Sequence, residues 1–235
     1  TDGTSATVKA GCLIVVDSSG DVAETFSGSP INGPWDMTAL DEGNQADLFV
    51  TNVLNGTVAA NGKVVHTATV VRIDLNVPNQ GQGKPSREST TVIGSGFAAR
   101  TDPAALVIGP TGVGLSGDTL YVADSLNNRI AAITNAVERS SSAHTGTDVS
   151  ANGFINDPLG LTIAPNGDIL IVNGNNGRIV EITPGGNQID HKFLDKTVTA
   201  GSPPGAGCLF GLAVAPGGSG LYFVDDCDNT LKVVS

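Results

Sequence analysis

Residues 119–130 read TLYVADSLNNRI, which is an apolar strand, a carboxylate, a short polar turn and the start of a second strand. Three other stretches align with it without gaps: residues 47–58 (DLFVTNVLNGTV), 168–179 (DILIVNGNNGRI) and 220–231 (GLYFVDDCDNTL). Self-similarity at a regular spacing is characteristic of repeat architectures. The sequence therefore predicts a fold built from one repeated unit.

Further strand patterns flank each repeat. Upstream lie the strand openings PWDMTAL from Pro34, PTGVGL from Pro110, PLGLTIA from Pro158 and CLFGLAVA from Cys208. Downstream, ITPGGNQIDHKF from Ile182 supplies a third strand, a Gly-rich turn and a fourth strand. Four short antiparallel strands per unit predict an all-β propeller of four-stranded blades.

These residues also carry a family resemblance. The opening Pro-x-Gly, followed by LYVAD and NNRI, resembles the NHL repeat and, more loosely, the senescence-marker/gluconolactonase propellers. The chain is also similar to secreted bacterial NHL-repeat proteins. The resemblance covers nearly the whole chain and implies a six-bladed ring, of which four to five blades are recognisable here.

We interpret residues 1–235 as a single propeller domain. Its blades are placed at about 31–95, 105–150 and 157–200, between partial blades at 11–30 and 207–235. The segment AANGKVVHTAT, residues 59–69, is interpreted as an inserted hairpin that turns at Asn61 and Gly62. The strands fall short of a closed six-bladed ring, so we expect an N-terminally incomplete propeller. Its open blade edges favour self-association or pairing with another chain.

Composition restricts the partners. The formal net charge is −11, from 23 acidic and 12 basic residues, which disfavours nucleic acid as a ligand. No apolar run is long enough for a membrane-spanning helix, so no membrane insertion is expected. Few lysines and many Thr, Ser and Asn residues are typical of an exported protein, either secreted or periplasmic.

Three cysteines are present, and none forms a Cys-x-x-Cys pair that would indicate zinc or redox chemistry. Cys208 begins a first strand, and Cys227 lies in the turn after the neighbouring second strand. Adjacent antiparallel strands bring Cα atoms within disulfide range. We therefore predict a Cys208–Cys227 bridge with Cys12 free.

An Asn or Asp residue ends the second strand of every repeat, with a polar residue three positions later. A position that recurs in every blade is best explained by every blade's turn, whose backbone N–H groups these side chains can bind. The alternative is a divalent-cation site, Ca²⁺ or similar, built from the same oxygens at the channel mouth. The four candidates are Asn52, Asp124, Asn173 and Asp225.

The resemblance to gluconolactonase-type enzymes implies a metal-binding and catalytic role for Asp124. Those enzymes also need an Asn just before the first-strand Gly, where this chain has Thr111, Leu159 and Phe210. Because these residues replace the Asn poorly, the lactonase set of residues is incomplete.

First strands line the channel of a propeller, so their residues are the candidates for ligand contact at the channel mouth. These candidates are Trp35, Asp36, Thr111 and Phe210. For Trp35, packing inside the fold is favoured over a role as a ligand platform. The favoured function is a non-catalytic extracellular binding or scaffold propeller, for a protein, small-molecule or glycan ligand, that uses one face and the channel mouth. The alternative is a divalent-metal-dependent lactonase or related hydrolase that uses Asp124.

Overall fold

A computed structural model describes residues 2–79, 82–103 and 105–235 and shows an all-β protein. The described residues form eighteen strands in five antiparallel sheets and two short 3-10 turns, Ser125–Asn127 and Pro216–Gly218. Within that part of the chain, no helix has the length and apolar character needed to cross a membrane. Backbone contacts divide the chain into two compact units.

The first unit comprises Thr1–Pro110 and Asn135–Thr145. Its strands form a two-stranded sheet, β1-β2, and a five-stranded sheet in the order β3-β4-β5-β6-β7. The strands are β1 (Leu13–Val16), β2 (Val22–Phe26), β3 (Pro34–Asp41), β4 (Gln45–Asn52), β5 (Val65–Asn76), β6 (Ser86–Asp102) and β7 (Leu106–Ile108).

The second unit comprises Thr111–Thr134 and Gly146–Ser235. The sheet orders are β11-β10-β9-β8, β12-β13-β14-β15 and β16-β17-β18, each a chain of antiparallel neighbours. The strands are β8 (Pro110–Ser116), β9 (Thr119–Asp124), β10 (Arg129–Ile133), β11 (Thr147–Ala151), β12 (Pro158–Ile163), β13 (Ile169–Asn173), β14 (Arg178–Ile182), β15 (Gln188–Phe193), β16 (Leu209–Val214), β17 (Leu221–Asp225) and β18 (Thr230–Val234).

The sheets are propeller blades, and within the second unit neighbouring blades bury apolar residues against one another. In the second unit, one core cluster joins β9 and β10 to the next sheet through Tyr121, Ile130, Leu161 and Ile171. A second joins β13 and β14 to the last sheet through Val172, Ile179, Leu209, Leu221 and Phe223. The stacking of neighbouring blades removes the apolar surface of these side chains from water, and this burial stabilises the fold.

The first unit has its own core, in which Phe26, Ile31, Val50, Val71 and Ile73 are buried together. The segment Asn135–Thr145 belongs to this unit, where backbone hydrogen bonds to β6 and the side chain of Arg72 hold it. The Nη1 of Arg72 donates to the carbonyl oxygens of Ala136 (3.2 Å), Val137 and Arg139 (3.3 Å).

Two details of the strand interpretation were wrong. Residues 59–69 do not form an inserted hairpin. Asn61 and Gly62 do turn, both with positive φ, but the chain then enters β5 at Val65, and β5 pairs with β4 as far as Asn76. The sheet that begins at β3 also has five strands where four were expected, because β7 pairs with the end of β6.

Candidate functional site

Asp124 ends β9 with a side chain that is completely buried. Its carboxylate accepts from Arg129 Nε at 2.8 Å and from Asn127 Nδ2 at 2.9 and 3.1 Å. Arg129 also pairs with Asp148. Burial opposes the charge on Arg129, but hydrogen bonds to Asp148 and Asp124 outweigh it and raise the pKa of the guanidinium. Asp124 is therefore engaged by groups of its own turn and the next strand.

Asp225 occupies the same position in the last sheet and is also completely buried. Its carboxylate accepts from Lys232 Nζ at 2.7 Å and from the backbone N–H of Asp228 at 3.3 Å. Lys232 reaches the carboxylate of Asp228 as well. Hydrogen bonds to Asp225 and Asp228 raise the pKa of the Lys232 ammonium.

The two amides at this position form neutral hydrogen bonds. Asn52 Oδ1 accepts from the backbone N–H of Asn32 at 3.2 Å, and Asn173 Oδ1 accepts from that of Asn156 at 3.0 Å. Asn173 Nδ2 donates to the carbonyl of Phe154 at 2.8 Å. Each amide thus binds the chain just before its own first strand.

Sequence reasoning located this position but assigned its partners incompletely. Of the four residues, Asp225 accepts from a turn N–H, as expected. The basic partners Arg129 and Lys232 were missed, although they stand five and seven residues after buried acids in the sequence. A buried carboxylate requires a compensating charge, and that requirement was the available signal.

Among the described residues, one group of carboxylates could approach a cation. Oxygens of Asp195, Asp225 and Asp228 lie within 4.8 Å of one another. The Lys232 ammonium already lies on two of these carboxylates. Thr197 donates its N–H and its hydroxyl to Asp195 at 2.7 and 3.2 Å. Because these donors occupy the oxygens, the residues fit a resident divalent cation poorly.

The predicted disulfide is present beside this group. Cys208 and Cys227 are bonded with their Cα atoms 4.8 Å apart, and Cys12 is free and exposed. The Asp226 N–H donates to the Cys208 carbonyl at 2.8 Å. The bridge therefore ties the start of β16 to the turn that follows β17.

The four channel-mouth candidates lie on first strands, in different environments. Trp35 is half-buried, and its indole N–H donates to the Val107 carbonyl at 3.0 Å. Asp36 accepts from the N–H of Met37 at 2.8 Å. Thr111 is completely buried, and its hydroxyl donates to the Pro158 carbonyl at 2.9 Å, so its polar group serves the fold.

The fourth candidate, Phe210, is half-buried on β16. Trp35 and Asp36 lie in the first unit, and Thr111 and Phe210 lie in the second. In the first unit, the indole N–H of Trp35 is bound to β7, an edge strand of its own sheet.

An open groove that sequence reasoning did not identify lies in the second unit. It encloses about 310 Å³ and has apolar walls with three charged residues, Glu181, Asp190 and Lys192, beside them. His191 also lines it, stacked on Phe154 with ring centroids 3.7 Å apart. The guanidinium of Arg178 lies 2.5 Å from His191 Nδ1. The apolar walls are formed by Ala164, Pro165, Leu170, Ile179, Val214, Leu221 and Val234.

The chain superimposes on solved propellers of low sequence identity. A luciferin-regenerating enzyme matches with a TM-score of 0.54 and 16% identity, over 91% of this chain and 62% of that one. An inactive variant of virginiamycin B lyase from Staphylococcus aureus, solved with quinupristin, gives 0.52 and 16%, over 95% and 62%. A gluconolactonase from Xanthomonas campestris gives 0.51 and 14%, over 89% and 61%.

The chain therefore spans about three fifths of the length of these proteins. No protein-family model matches the chain, and no curated protein matches it. At these identities the comparison shows a shared fold, and it confirms the predicted all-β propeller and its resemblance to gluconolactonase-type propellers at that level.

Proposed function

We propose that this protein is a non-catalytic binding propeller that works outside the cytoplasm, as a secreted or periplasmic protein. The observation that carries the proposal is the state of the strand-end acids. Asp124 and Asp225 are completely buried, and each is neutralised by a cation of the fold, Arg129 or Lys232. Carboxylates paired in this way stabilise turns and do not present open coordination positions to a metal or substrate.

The compartment is supported by the Cys208–Cys227 bridge, because disulfides persist in oxidising environments. The net charge of −11 favours a soluble protein that does not bind nucleic acid. Loops and first strands on a rigid sheet scaffold are where binding residues are usually carried. The first-strand residues proposed for ligand contact are Trp35 and Asp36 in the first unit and, separately, Phe210 in the second unit.

The groove of the second unit supplies a more specific site on this scaffold. Its volume is at the lower end of small-molecule pockets. Aliphatic walls with Glu181 and Lys192 beside them suit a compact apolar group that carries a polar end, either a small molecule or a side chain of a protein ligand. We propose such a ligand class for the groove.

Nuclear magnetic resonance titration of the methyl groups with indole as the probe tests this site. Shift changes are expected at Leu170, Ile179 and Val214. Leu170→Tyr should abolish them by filling the groove, and the fold should accept the change because Tyr121 and Tyr222 occupy the same position in the neighbouring sheets. Val198→Tyr, in an exposed loop, is the matched control. Shifts that survive Leu170→Tyr would reject the groove as the site.

The second candidate is a divalent-metal-dependent lactonase, for which the carboxylates of Asp195, Asp225 and Asp228 are close enough together to approach one cation once Lys232 is displaced. A gluconolactonase shares the fold, but at 14% identity this likeness supports a common fold and gives no support for a common activity. Hydrolysis of a lactone panel, with and without added Ca²⁺, separates the two functions. The binding proposal expects no hydrolysis above the uncatalysed rate. Chelator-sensitive hydrolysis that Asp225→Asn removes would establish the enzyme instead.

A further inference from the structure

Arg178 stands at the same position of its sheet as Arg129 does in the preceding sheet, at the start of the third strand. Arg129 is bound by two carboxylates. Its Nε donates to Asp124 at the end of β9 at 2.8 Å, and its Nη1 pairs with Asp148 of β11. The preceding sheet thus neutralises a half-buried guanidinium with its own acids.

Neither carboxylate has a counterpart around Arg178. Asn173 takes the place of Asp124 at the strand end. His191 takes the place of Asp148, because each lies opposite the residue two positions after its arginine. Both negative charges are lost while the positive charge is kept. Among the described residues, no carboxylate forms an ion pair with Arg178.

The N–H groups of Arg178 are only partly used by the fold. Its Nη1 lies 2.5 Å from Nδ1 of His191. Within the part of the chain that the structure describes, no group accepts a hydrogen bond from its Nε or Nη2. Its Cζ lies over the ring of Phe193, 3.9 Å from the centroid. This contact holds the guanidinium in place without supplying an acceptor, so two kinds of N–H remain for a ligand.

A second cation lies beside Arg178. The Lys196 Nζ is 5.7 Å from the centroid of the same phenylalanine ring, and no described carboxylate pairs with it. Asp190 and Asp195, the acids of this stretch, accept hydrogen bonds from backbone N–H groups. In a chain with a net charge of −11, this end of β14 and β15 therefore carries two cations without a carboxylate partner, which favours an anion there.

An exposed aromatic side chain completes the surroundings. Phe154, between β11 and β12, is 46% exposed and stacks on His191 with ring centroids 3.7 Å apart. Because His191 also contacts Arg178, an apolar surface lies next to the guanidinium. A ligand that meets both needs an anionic group joined to an apolar one.

We propose that Arg178 binds the carboxylate of a small acid, in place of the two aspartates that Arg129 binds, while the apolar part of the acid lies against Phe154. Carboxylate is the class of anion because the preceding sheet binds carboxylates through the same position, with charge-assisted hydrogen bonds from Nε and Nη1. Arg178 does not line the groove of the second unit, so the two sites can be tested separately.

Nuclear magnetic resonance titration of the full chain with benzoate, at constant ionic strength, tests the site. The backbone amide signals of Phe193 and Lys196 should shift and saturate. Arg178→Gln should weaken binding by more than about tenfold, because the carboxylate loses a charged donor. Arg87→Gln, the same change at an exposed arginine of β6, is the matched control and should bind as the parent does. Benzamide, which lacks the charge, should produce no saturable shift.

A second pair of variants tests the comparison between the two sheets. His191→Asp gives Arg178 an internal carboxylate where Arg129 has Asp148, so benzoate binding should fall by more than about tenfold although the arginine is kept. His191→Asn, which has nearly the same shape as the aspartate and no charge, should keep binding within about threefold. Because this pair retains Arg178, it decides the question even where Arg178→Gln is unstable.

Acetate isolates the part assigned to Phe154, because it has the carboxylate without the ring, and it should bind more weakly than benzoate. Acetate that binds as tightly as benzoate would overturn the contact with Phe154. A parent chain with no saturable shift, or benzoate binding that survives Arg178→Gln, would overturn the proposal. So would equal effects of His191→Asp and His191→Asn.

Discussion

At the scale of single residues, the four strand-end side chains differ in charge, and their partners differ accordingly. The acids Asp124 and Asp225 bind Arg129 and Lys232, whereas the amides Asn52 and Asn173 bind backbone N–H groups. The side chain at the end of the second strand is thus held either by an ion pair or by a neutral hydrogen bond to the backbone. A charged residue is tolerated only where the next strand supplies the opposite charge.

Replacing Asp124 by Ala should lower the free energy of unfolding by about 1–3 kcal/mol, because Arg129 and Asn127 lose a buried acceptor. Urea denaturation measures the change. Calorimetric titration with Ca²⁺ should give no saturable heat for either the parent or the variant. Asp148→Ala is the control, because it removes the exposed partner of Arg129 and should cost less. Unaltered stability together with lost cation binding would contradict a structural role.

Two acids face each other on neighbouring strands of the first unit, where Asp47 of β4 lies directly opposite Asp74 of β5. Loss of hydration and the negative charge of Asp74 raise the pKa of Asp47. Burial also disfavours ionisation of Asp74, but hydrogen bonds from Arg72 and Ser89 outweigh it and lower the pKa of Asp74. The pKa of Asp47 is therefore above the ordinary aspartate value, and the pKa of Asp74 is below it.

The raised pKa of Asp47 has a defined consequence for stability. The folded state holds the Asp47 proton more tightly than the unfolded state, so stability falls as the pH rises from the ordinary Asp pKa of about 3.9 through the raised folded value. Asp47→Asn removes this loss. The variant should be more stable than the parent at pH 7, and the difference should shrink as the pH approaches 4. A difference that grows on acidification would show that the sign is wrong.

At the scale of elements, glycines in the first strands determine how closely neighbouring blades approach. Gly160→Ala should cost about 1–3 kcal/mol, because the new methyl group would collide with the Phe210 carbonyl. Gly211→Ala is the matched control, because Gly211 holds the same first-strand position and a Cβ there would meet only the side chain of Val224. It should be neutral or stabilise by up to about 1 kcal/mol, through the unfolded chain. Equal effects of the two changes would mean that neighbouring first strands do not approach as described.

The Cys208–Cys227 disulfide also stabilises the last sheet, since it closes a loop with a sequence separation of 19 residues. Replacing both Cys208 and Cys227 by Ser should lower the free energy of unfolding by about 3 kcal/mol. Cys12→Ser should leave it unchanged, because Cys12 is free and exposed. Thermal and urea unfolding of the three proteins compare them directly. A bridge variant as stable as the parent would show that the loop is already fixed by other contacts.

The elements that sequence reasoning predicted correctly are those with a repeated local pattern. The strand, Asx and turn of residues 119–130 recur in each blade, so alignment alone places β9, β13 and β17. The start of β5 at Val65 was missed because Asn61-Gly62 is a strong hairpin signal, while long-range pairing with β4 decides where the strand begins. The groove beside Glu181 could not be predicted, since its walls come from strands of two different sheets.

At the scale of the whole molecule, each unit has its own core, and in the second unit a sheet face is buried by the next sheet wherever one follows within that unit. In the second unit that rule explains both core clusters and the exposed Tyr222, Val224, Leu231 and Val233. Stability in such an array accumulates from contacts between neighbouring sheets. Under the proposed binding function, the ligand contacts surfaces other than the strand-end acids Asp124 and Asp225, which are buried and paired within the fold.

Calcium titration by calorimetry, combined with metal analysis of the natively purified protein, tests that central claim most directly. Because Asp225 and Asp228 already share the Lys232 ammonium, we predict much less than one bound ion per chain and no saturable heat on adding Ca²⁺. Lys232→Met, which frees both carboxylates, should lower stability and allow weak binding. One tightly held ion per chain in the unaltered protein, lost on Asp225→Asn, would contradict the account and make these acids a metal site.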